Sequence, residues 1–140
     1  MWDALFALSV LVIATLSLAA LMPTFSRSQH MSDEMSRAVQ ICSRQIEQLR
    51  LAGFDNLNHD ALYSLGLADP WQGEGPMTFS RIPGEEAILF SVATSLRDGV
   101  GEMEIYDIGD GAREVIVRVE WTAASGKSRS EELTTVIGRD

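Results

Sequence analysis

The N-terminal part of the chain carries a run of about 19 residues without a charged side chain, from Ala4 to Met22. As an α-helix rising about 1.5 Å per residue, this run covers roughly the 30 Å hydrocarbon core of a bilayer. Its polar residues are Ser9, Thr15 and Ser17, whose hydroxyls can donate to carbonyl oxygens of the preceding turn. We therefore expect residues 1–23 to form a single transmembrane helix.

Two other interpretations of the apolar run fit less well. A cleaved secretory signal normally begins with basic residues, whereas this chain begins Met1-Trp2-Asp3. A helix buried in a soluble core would have to be covered on every side, and about 115 further residues are few for that. A membrane anchor is the interpretation that we carry forward.

Charge and composition exclude several classes of protein. The chain has 140 residues, a formal net charge of −9 and a single cysteine, which cannot form an intrachain disulfide. An acidic chain lacks the Lys and Arg that displace counterions from phosphates, so we expect no nucleic-acid partner. All eleven Lys and Arg residues follow the apolar run, which would place the body in the cytoplasm unless a basic segment precedes Met1.

Residues 24–53 predict an amphipathic helix that continues the first one as far as about Ala52. Its apolar stripe recurs at spacings of three and four and consists of Met31, Met35, Val39, Cys42, Ile46 and Leu49. Pro23 should kink the long helix by removing one donor. Gly53 should end it in a left-handed cap, with Phe54 packing back.

Residues 54–140 predict a small α+β head. A short capped helix over 58–65 and a turn-rich loop over 69–76 precede segments with strand character at 77–82, 87–95, 102–108, 113–122 and 129–137. Breaks at Asp98-Gly99, Asp110-Gly111 and Ser125-Gly126 suit short hairpin turns. The segment 113–122 is the clearest, because Val115, Val117, Val119 and Trp121 alternate with more polar residues. We expect an antiparallel sheet that packs on the amphipathic helix through Val39, Cys42, Ile46, Leu49 and Trp121.

The residue types of common catalytic centres do not come together in this sequence, and we expect no enzyme and no cofactor. His30 and His59 lack neighbours at zinc-binding spacing, and Cys42 lies on the apolar stripe without a base beside it. Asp107 and Asp110 form a weak calcium candidate, and an acidic hairpin turn explains them better.

The order of an acidic residue, an apolar helix, an amphipathic helix and a closing antiparallel sheet resembles type IV pilins and type II secretion pseudopilins. The likeness rests on residues 3–11 and on 38–55, where Ile46-Glu47-Gln48-Leu49-Arg50 leads to Gly53-Phe54-Asp55. This second stretch is similar to V-type minor pilins and I-type pseudopilins, as are 119–122 and 133–135. The resemblance implies a long N-terminal helix packed on a small antiparallel sheet.

The resemblance also implies a role for the N-terminal residues. Family precursors carry a basic leader ending in glycine, which a prepilin peptidase removes before N-terminal methylation. The resemblance therefore implies either that such a leader lies upstream of Met1 or that this chain is atypical and remains uncleaved. Asp3 would then set assembly register by pairing with the amine of a neighbouring subunit, and Pro23 would shape the helix. An equally open alternative is that Asp3 caps the helix N-terminus in the headgroup layer. The filament core would consist of Ala4, Leu5, Phe6, Ala7, Leu8, Val10, Leu11, Val12, Ile13, Leu16, Leu18 and Leu21.

The resulting expectation is a bacterial minor pilin or pseudopilin in the assembly or initiation of a type IV pilus or a type II secretion filament for protein transport. Its partners would be other pilin or pseudopilin subunits, the inner-membrane assembly platform, membrane lipid and, if a leader exists upstream, a prepilin peptidase. It would cross the inner membrane once, with the head in the periplasm or outside the cell. The alternative is a membrane-anchored extracytoplasmic binding domain that enters no filament.

Overall fold

The computed structural model describes residues 2–71, 73–83 and 91–139, and within the first helix it leaves out the side chains of residues 3–5, 9, 14 and 18–27. The chain divides into two units, Met1–Asp33 and Glu34–Asp140. Helix α1 runs from Trp2 to Ala52 and so belongs to both units. The second unit, which we call the head, contains the remaining elements.

Short helices and a four-stranded antiparallel sheet follow α1. A 3₁₀ turn at Phe54–Asn56 precedes helix α2 at His59–Ser64, and helix α3 occupies Val92–Ser95. The strands are β1 (Met77–Phe79), β2 (Val100–Gly109), β3 (Ala112–Thr122) and β4 (Ser128–Gly138). They lie in the order β1-β2-β3-β4, with every neighbouring pair antiparallel. The predicted α+β class and the meander of the last three strands are confirmed.

The end of α1 agrees with the sequence in position and differs slightly in geometry. The Gly53 N–H donates to the carbonyl oxygens of Leu49 and Arg50 at 3.3 and 3.2 Å, which closes the last turn. Gly53 has φ 80°, where a side chain would be strained, but its ψ of 163° is extended rather than left-handed helical. Phe54 packs against the core as predicted.

The head core lies between the last part of α1 and one face of the sheet. Strand β3 alternates as predicted, since Val115, Val117, Val119 and Trp121 are all buried. Gly101 of β2 lies opposite Phe79 of β1, and a Cβ at this position would come within 2.6 Å of the phenyl ring. Position 101 therefore requires a glycine, because the Phe79 ring packs directly against its backbone.

The face of α1 that packs on the sheet is rotated from the predicted stripe. Cys42, Ile46 and Leu49 are buried as expected, but Val39 is only half-buried. Met31 and Met35, which begin the predicted apolar stripe but were not among the predicted packing residues, are 42% and 47% exposed. The remaining buried positions on this part of α1 are Ala38, Ile41 and Gln45. The sheet meets the helix along these residues, and hydrophobic spacing alone did not reveal that a small alanine and a glutamine lie at the contact.

One predicted strand is wrong and another is too long. Residues Val92–Ser95 of the predicted strand 87–95 form α3, and residues 87–90 lie outside the description. The buried residues here are Val92 and Leu96, a spacing of four that fits a helical turn. Strand β1 ends at Phe79 rather than residue 82. The hairpin predicted at Asp98-Gly99 therefore joins a helix to a strand.

The turns around β3 follow the sequence more closely. Asp110 and Gly111 have φ 52° and 69°, the pair of positive values that a type I′ hairpin requires. In α2, the Asn58 side chain accepts a hydrogen bond from the Ala61 N–H at 3.0 Å, which confirms the predicted capped helix.

Candidate functional site

Large apolar side chains are exposed along the N-terminal part of α1. Between Phe6 and Leu16, their exposure ranges from 46% at Val12 to 74% at Phe6. The described members of this group, which we call the apolar rod, are Phe6, Leu8, Val10, Leu11, Val12, Ile13 and Leu16. At about 100° per residue these positions point in all directions around the helix axis. An exposed apolar surface of this extent is typical of a site that contacts another protein or a membrane.

The described hydroxyls of this segment are satisfied inside the helix. Thr15 Oγ1 donates to the carbonyl oxygens of Leu11 and Val12 at 3.0 and 2.9 Å, and Ser17 Oγ donates to that of Ile13 at 2.8 Å. This confirms the predicted bonding to the preceding turn. These hydroxyls therefore need no water or partner to satisfy them.

The rest of the predicted assembly site falls on side chains outside the description. Asp3 and Pro23 lie within the bounds of α1, and the helix continues through both. The side chains of Ala4, Leu5, Leu18 and Leu21 are likewise not described. Considering described residues only, the structure has no helix that combines the length and the apolarity needed to cross a bilayer. The roles of Asp3, of Pro23 and of the full span therefore remain predictions.

Cys42 is a buried core residue, as predicted. Burial, followed by the negative charge of Glu131, raises the pKa of the Cys42 thiol to about 12. Its Sγ donates a weak hydrogen bond to the Glu131 carbonyl oxygen at 3.9 Å. The thiol is therefore protonated at neutral pH and unreactive while the head is folded.

The calcium candidate lies at the hairpin between β2 and β3. The Asp107 carboxylate accepts a hydrogen bond from the Gly109 N–H at 2.9 Å, and Asp110 occupies the turn itself. Within the described ranges, no three His, Cys, Asp or Glu residues are close enough to hold a metal ion. The geometry of these two residues is that of a turn stabilised by its own aspartate.

A group of arginines surrounds the C-terminal end of α1 and was not singled out from the sequence. Arg113 Nη1 donates to the carbonyl oxygens of Phe54 and Leu57 at 3.0 and 2.9 Å and lies over the Phe54 ring. Arg139 pairs with Asp55 at 2.8 Å, and Arg50 donates to Thr135 Oγ1 at 2.5 Å. These contacts tie the strands to the helix end, where cations also complement the helix dipole.

The face of the sheet away from α1, which we call the outer face, is acidic. By strand register, Arg118 lies between Glu102 of β2 and Glu132 of β4. Its guanidinium bonds Glu132 at 2.6 and 3.0 Å, and this contact raises the pKa of Arg118. The other carboxylates that share this face by register are Glu104, Glu114 and Glu120. The outer face therefore carries more negative than positive charge.

An aromatic cleft lies beside β2 and was also not singled out from the sequence. It has a volume of about 350 Å³ and lies between Trp71, Gly75 and Pro76 on one side and Glu104, Ile105 and Tyr106 on the other. His59 is half-buried and packs near Trp71, with ring centroids 5.4 Å apart. The sequence feature that could have indicated this cleft is Trp71, a large aromatic residue inside a turn-rich loop.

Comparison with family models, with curated proteins and with solved structures gives no match for this chain.

Proposed function

We propose that this protein is a membrane-anchored minor pilin or pseudopilin, a structural subunit in the assembly of a type IV pilus or a type II secretion filament. The resemblance of residues 3–11 and 38–55 to that family motivates the proposal. The apolar rod anchors the subunit in the bacterial inner membrane before assembly. It packs among the corresponding helices of sibling subunits afterwards.

The observation that carries the proposal is the exposure of the apolar rod around the whole helix circumference. A helix with one side in water buries an apolar stripe and exposes a polar face. The positions of the apolar rod leave no polar face on this helix. Lipid and neighbouring apolar helices satisfy the same surface, because both lack polar groups. A subunit that moves from a bilayer into a helical filament core needs a surface of this kind.

The distribution of charge supports the same division of roles. Residues 24–52 hold four Arg and three acidic residues, whereas residues 53–140 hold seven basic and sixteen acidic residues. A nearly neutral helix packs among other helices without charge repulsion, and an acidic head stays soluble. Asp3 contributes a single negative charge at the start of the rod, where we assign it to contact with a neighbouring subunit.

Photo-cross-linking from the apolar rod tests the proposal. A Cys42→Ala chain carrying Ala7→Cys is labelled with a benzophenone maleimide in host membranes, illuminated and analysed by mass spectrometry. Ala7 is exposed, so the label reaches whatever covers the helix. We expect adducts with the apolar N-terminal helices of sibling chains or of other pilin-like subunits.

A matched label at Ser130, an exposed position on the outer face, reports contacts of the head. Adducts of the Ala7 label with lipid alone would contradict filament packing and would identify the chain as an anchored extracytoplasmic binding domain. Adducts from Ser130 without any from Ala7 would likewise replace the filament core by a head-mediated contact. A full-length chain that stays monomeric in a lysate without detergent would contradict the anchor itself.

A further inference from the structure

The chain itself closes the aromatic cleft on the side away from β3. Met77 pairs with Met103 of β2. Pro76 and Gly75, which precede Met77, continue the line of β1 and line the cleft. Because proline has no backbone N–H, the ladder of β1 begins only at Met77. The space of about 350 Å³ that remains has the size of a pocket for a small ligand or a side chain.

The side-chain donors among the described residues of the cleft are already bonded within the protein. The Trp71 indole N–H donates to the Gly75 carbonyl oxygen at 3.2 Å. The Tyr106 hydroxyl donates to the Glu104 carboxylate. What the side chains still offer is the rings of Trp71 and Tyr106, which are 40% and 48% exposed, and the carboxylate of Glu104. A ligand in this cleft therefore meets aromatic surfaces and a charged acceptor.

The charge at the cleft is negative. The described residues that line it include Glu104 and no Lys or Arg. Tyr106 lies opposite a second carboxylate, Glu114 of β3. Arg118 shares the outer face, but its guanidinium bonds Glu132. A cation that carries only hydrogen-bond donors complements the cleft, whereas a carboxylate or a phosphate is repelled.

The residue types of the cleft favour a flat cation over a compact one. A guanidinium stacks on an aromatic face and its N–H groups fit a carboxylate, whereas an ammonium is a compact and strongly hydrated charge. Trp71 and Tyr106 supply the aromatic surfaces. Apolar side chains complete the lining, and the aliphatic stem of an arginine packs on surfaces of this kind; these side chains are Met77, Met103 and Ile105.

We propose that the aromatic cleft binds the guanidinium of an arginine side chain presented by a partner protein. The guanidinium packs against the rings of Trp71 and Tyr106 and donates to the Glu104 carboxylate. The occupant is a protein side chain rather than the free amino acid, because free arginine carries a carboxylate for which the described side chains of the cleft have no donor. This inference concerns the head alone and does not rest on the filament function.

Blocked arginine provides the probe, since N-acetyl-arginine methylamide carries the guanidinium without terminal charges. It is titrated into the isotope-labelled full chain in a non-ionic detergent and followed by NMR shifts of the backbone amides and the indole N–H groups. We expect saturable binding with a Kd of roughly 1–10 mM and shifts concentrated at Trp71 and at 103–107. The absence of saturable shifts up to about 50 mM, or saturation elsewhere in the head, would overturn the proposal.

Related compounds separate the charge, the shape and the source of the ligand. N-acetyl-citrulline methylamide has a similar shape without the charge and should bind at least about tenfold more weakly. N-acetyl-lysine methylamide keeps the charge on an ammonium and should bind about threefold more weakly. N-acetyl-arginine, which retains the carboxylate of the amino acid, should also bind about threefold more weakly.

Each compound can contradict one part of the proposal. Equal binding of the citrulline compound would overturn the requirement for charge. Equal or tighter binding of the lysine compound would overturn the choice of a guanidinium. Binding of N-acetyl-arginine at least as tight as that of the blocked form would replace the partner protein by a small molecule.

Variants of the protein test the two side chains that β2 contributes. Glu104→Gln should weaken the binding of blocked arginine about tenfold. Glu120→Gln is its matched control, because it removes the same charge from the outer face at a position outside the cleft. Tyr106→Leu should also weaken binding about tenfold, whereas its control Tyr106→Phe keeps the ring and should bind at least as tightly as the original chain.

Equal affinities of the Glu104→Gln and Glu120→Gln variants would overturn the assignment of the carboxylate. Equal losses in Tyr106→Leu and Tyr106→Phe would overturn the stacking on the aromatic ring.

Discussion

Helix α1 combines two segments with the same backbone structure and opposite surroundings. From Phe6 to Leu16, the described large apolar side chains are 46–74% exposed. From Ala38 to Leu49, the residues that face the sheet are at most 8% exposed. Helical geometry is therefore common to both segments, whereas, among the described side chains, those of the first segment are exposed and those of the second are buried in the head. Apolar residues in a helix therefore predict that the helix contacts an apolar surface. They do not predict whether this surface belongs to the same chain, to another protein or to lipid.

The largest effect should separate a leucine of the head core from a leucine of the apolar rod. Leu49 is fully buried, so Leu49→Ala should lower the free energy of unfolding of the head by about 3 kcal/mol through lost burial and a cavity. Leu11 is 63% exposed, so the same substitution should change it by less than about 0.5 kcal/mol. Urea unfolding of both variants in detergent, followed by tryptophan fluorescence, measures the comparison. Equal losses would show that the rod also belongs to the head core.

A smaller effect should appear at alkaline pH through Cys42. Burial raises its pKa from 9.0 in the unfolded chain to about 12 in the folded head. The contribution of the thiol to the free energy of unfolding is therefore fully present below pH 9. It is lost as the pH rises from 9 towards 12, by up to about 1.4 kcal/mol per pH unit. The Cys42→Ala variant lacks this term and serves as the control. Parallel pH profiles for the two chains would contradict the burial of the thiol.

The smallest effect should come from the exposed side of the second segment. Arg44 and Glu47 form an ion pair at 3.3 Å, with both side chains more than half exposed. Because water screens such pairs, Glu47→Gln should change the free energy of unfolding by less than about 0.5 kcal/mol. Denaturant unfolding at low and at high salt measures this change. A loss comparable to that of Leu49→Ala would mean that the outer side of this segment is covered.

Patterns of local spacing predicted most of the head. The alternation in 113–122, the Asp110-Gly111 turn and the Asn58 cap are all local signals, and each is confirmed. The error at Val92–Ser95 arose because an isolated helical turn is too short to establish a period. The apolar stripe predicted for α1 is longer than its buried part, since Met31 and Met35 belong to the stripe and are exposed.

The candidate functional surfaces were harder to predict from the sequence than the head. The exposed hydrophobic character of the rod follows from the composition of residues 4–22, although its role in assembly remains a prediction. The aromatic cleft depends on the unequal lengths of β1 and β2. The arginine group depends on separate contacts of Arg50 with Thr135, of Arg113 with the Phe54 and Leu57 carbonyl oxygens, and of Arg139 with Asp55. Residues so distant along the chain carry no common periodicity.

By itself, the sequence determined the long helix, the strands β2 to β4 and the place of the apolar rod, because backbone preference and side-chain alternation act over a few residues. The tertiary structure alone decided which side of α1 meets the sheet, that Gln45 is buried there with its Nε2 donating to the Leu67 carbonyl oxygen at 2.8 Å, and that β2 and the loop of Trp71 form a cleft. The physical reason is that burial and strand pairing are properties of surfaces assembled from distant segments, and their energies appear only when those segments meet.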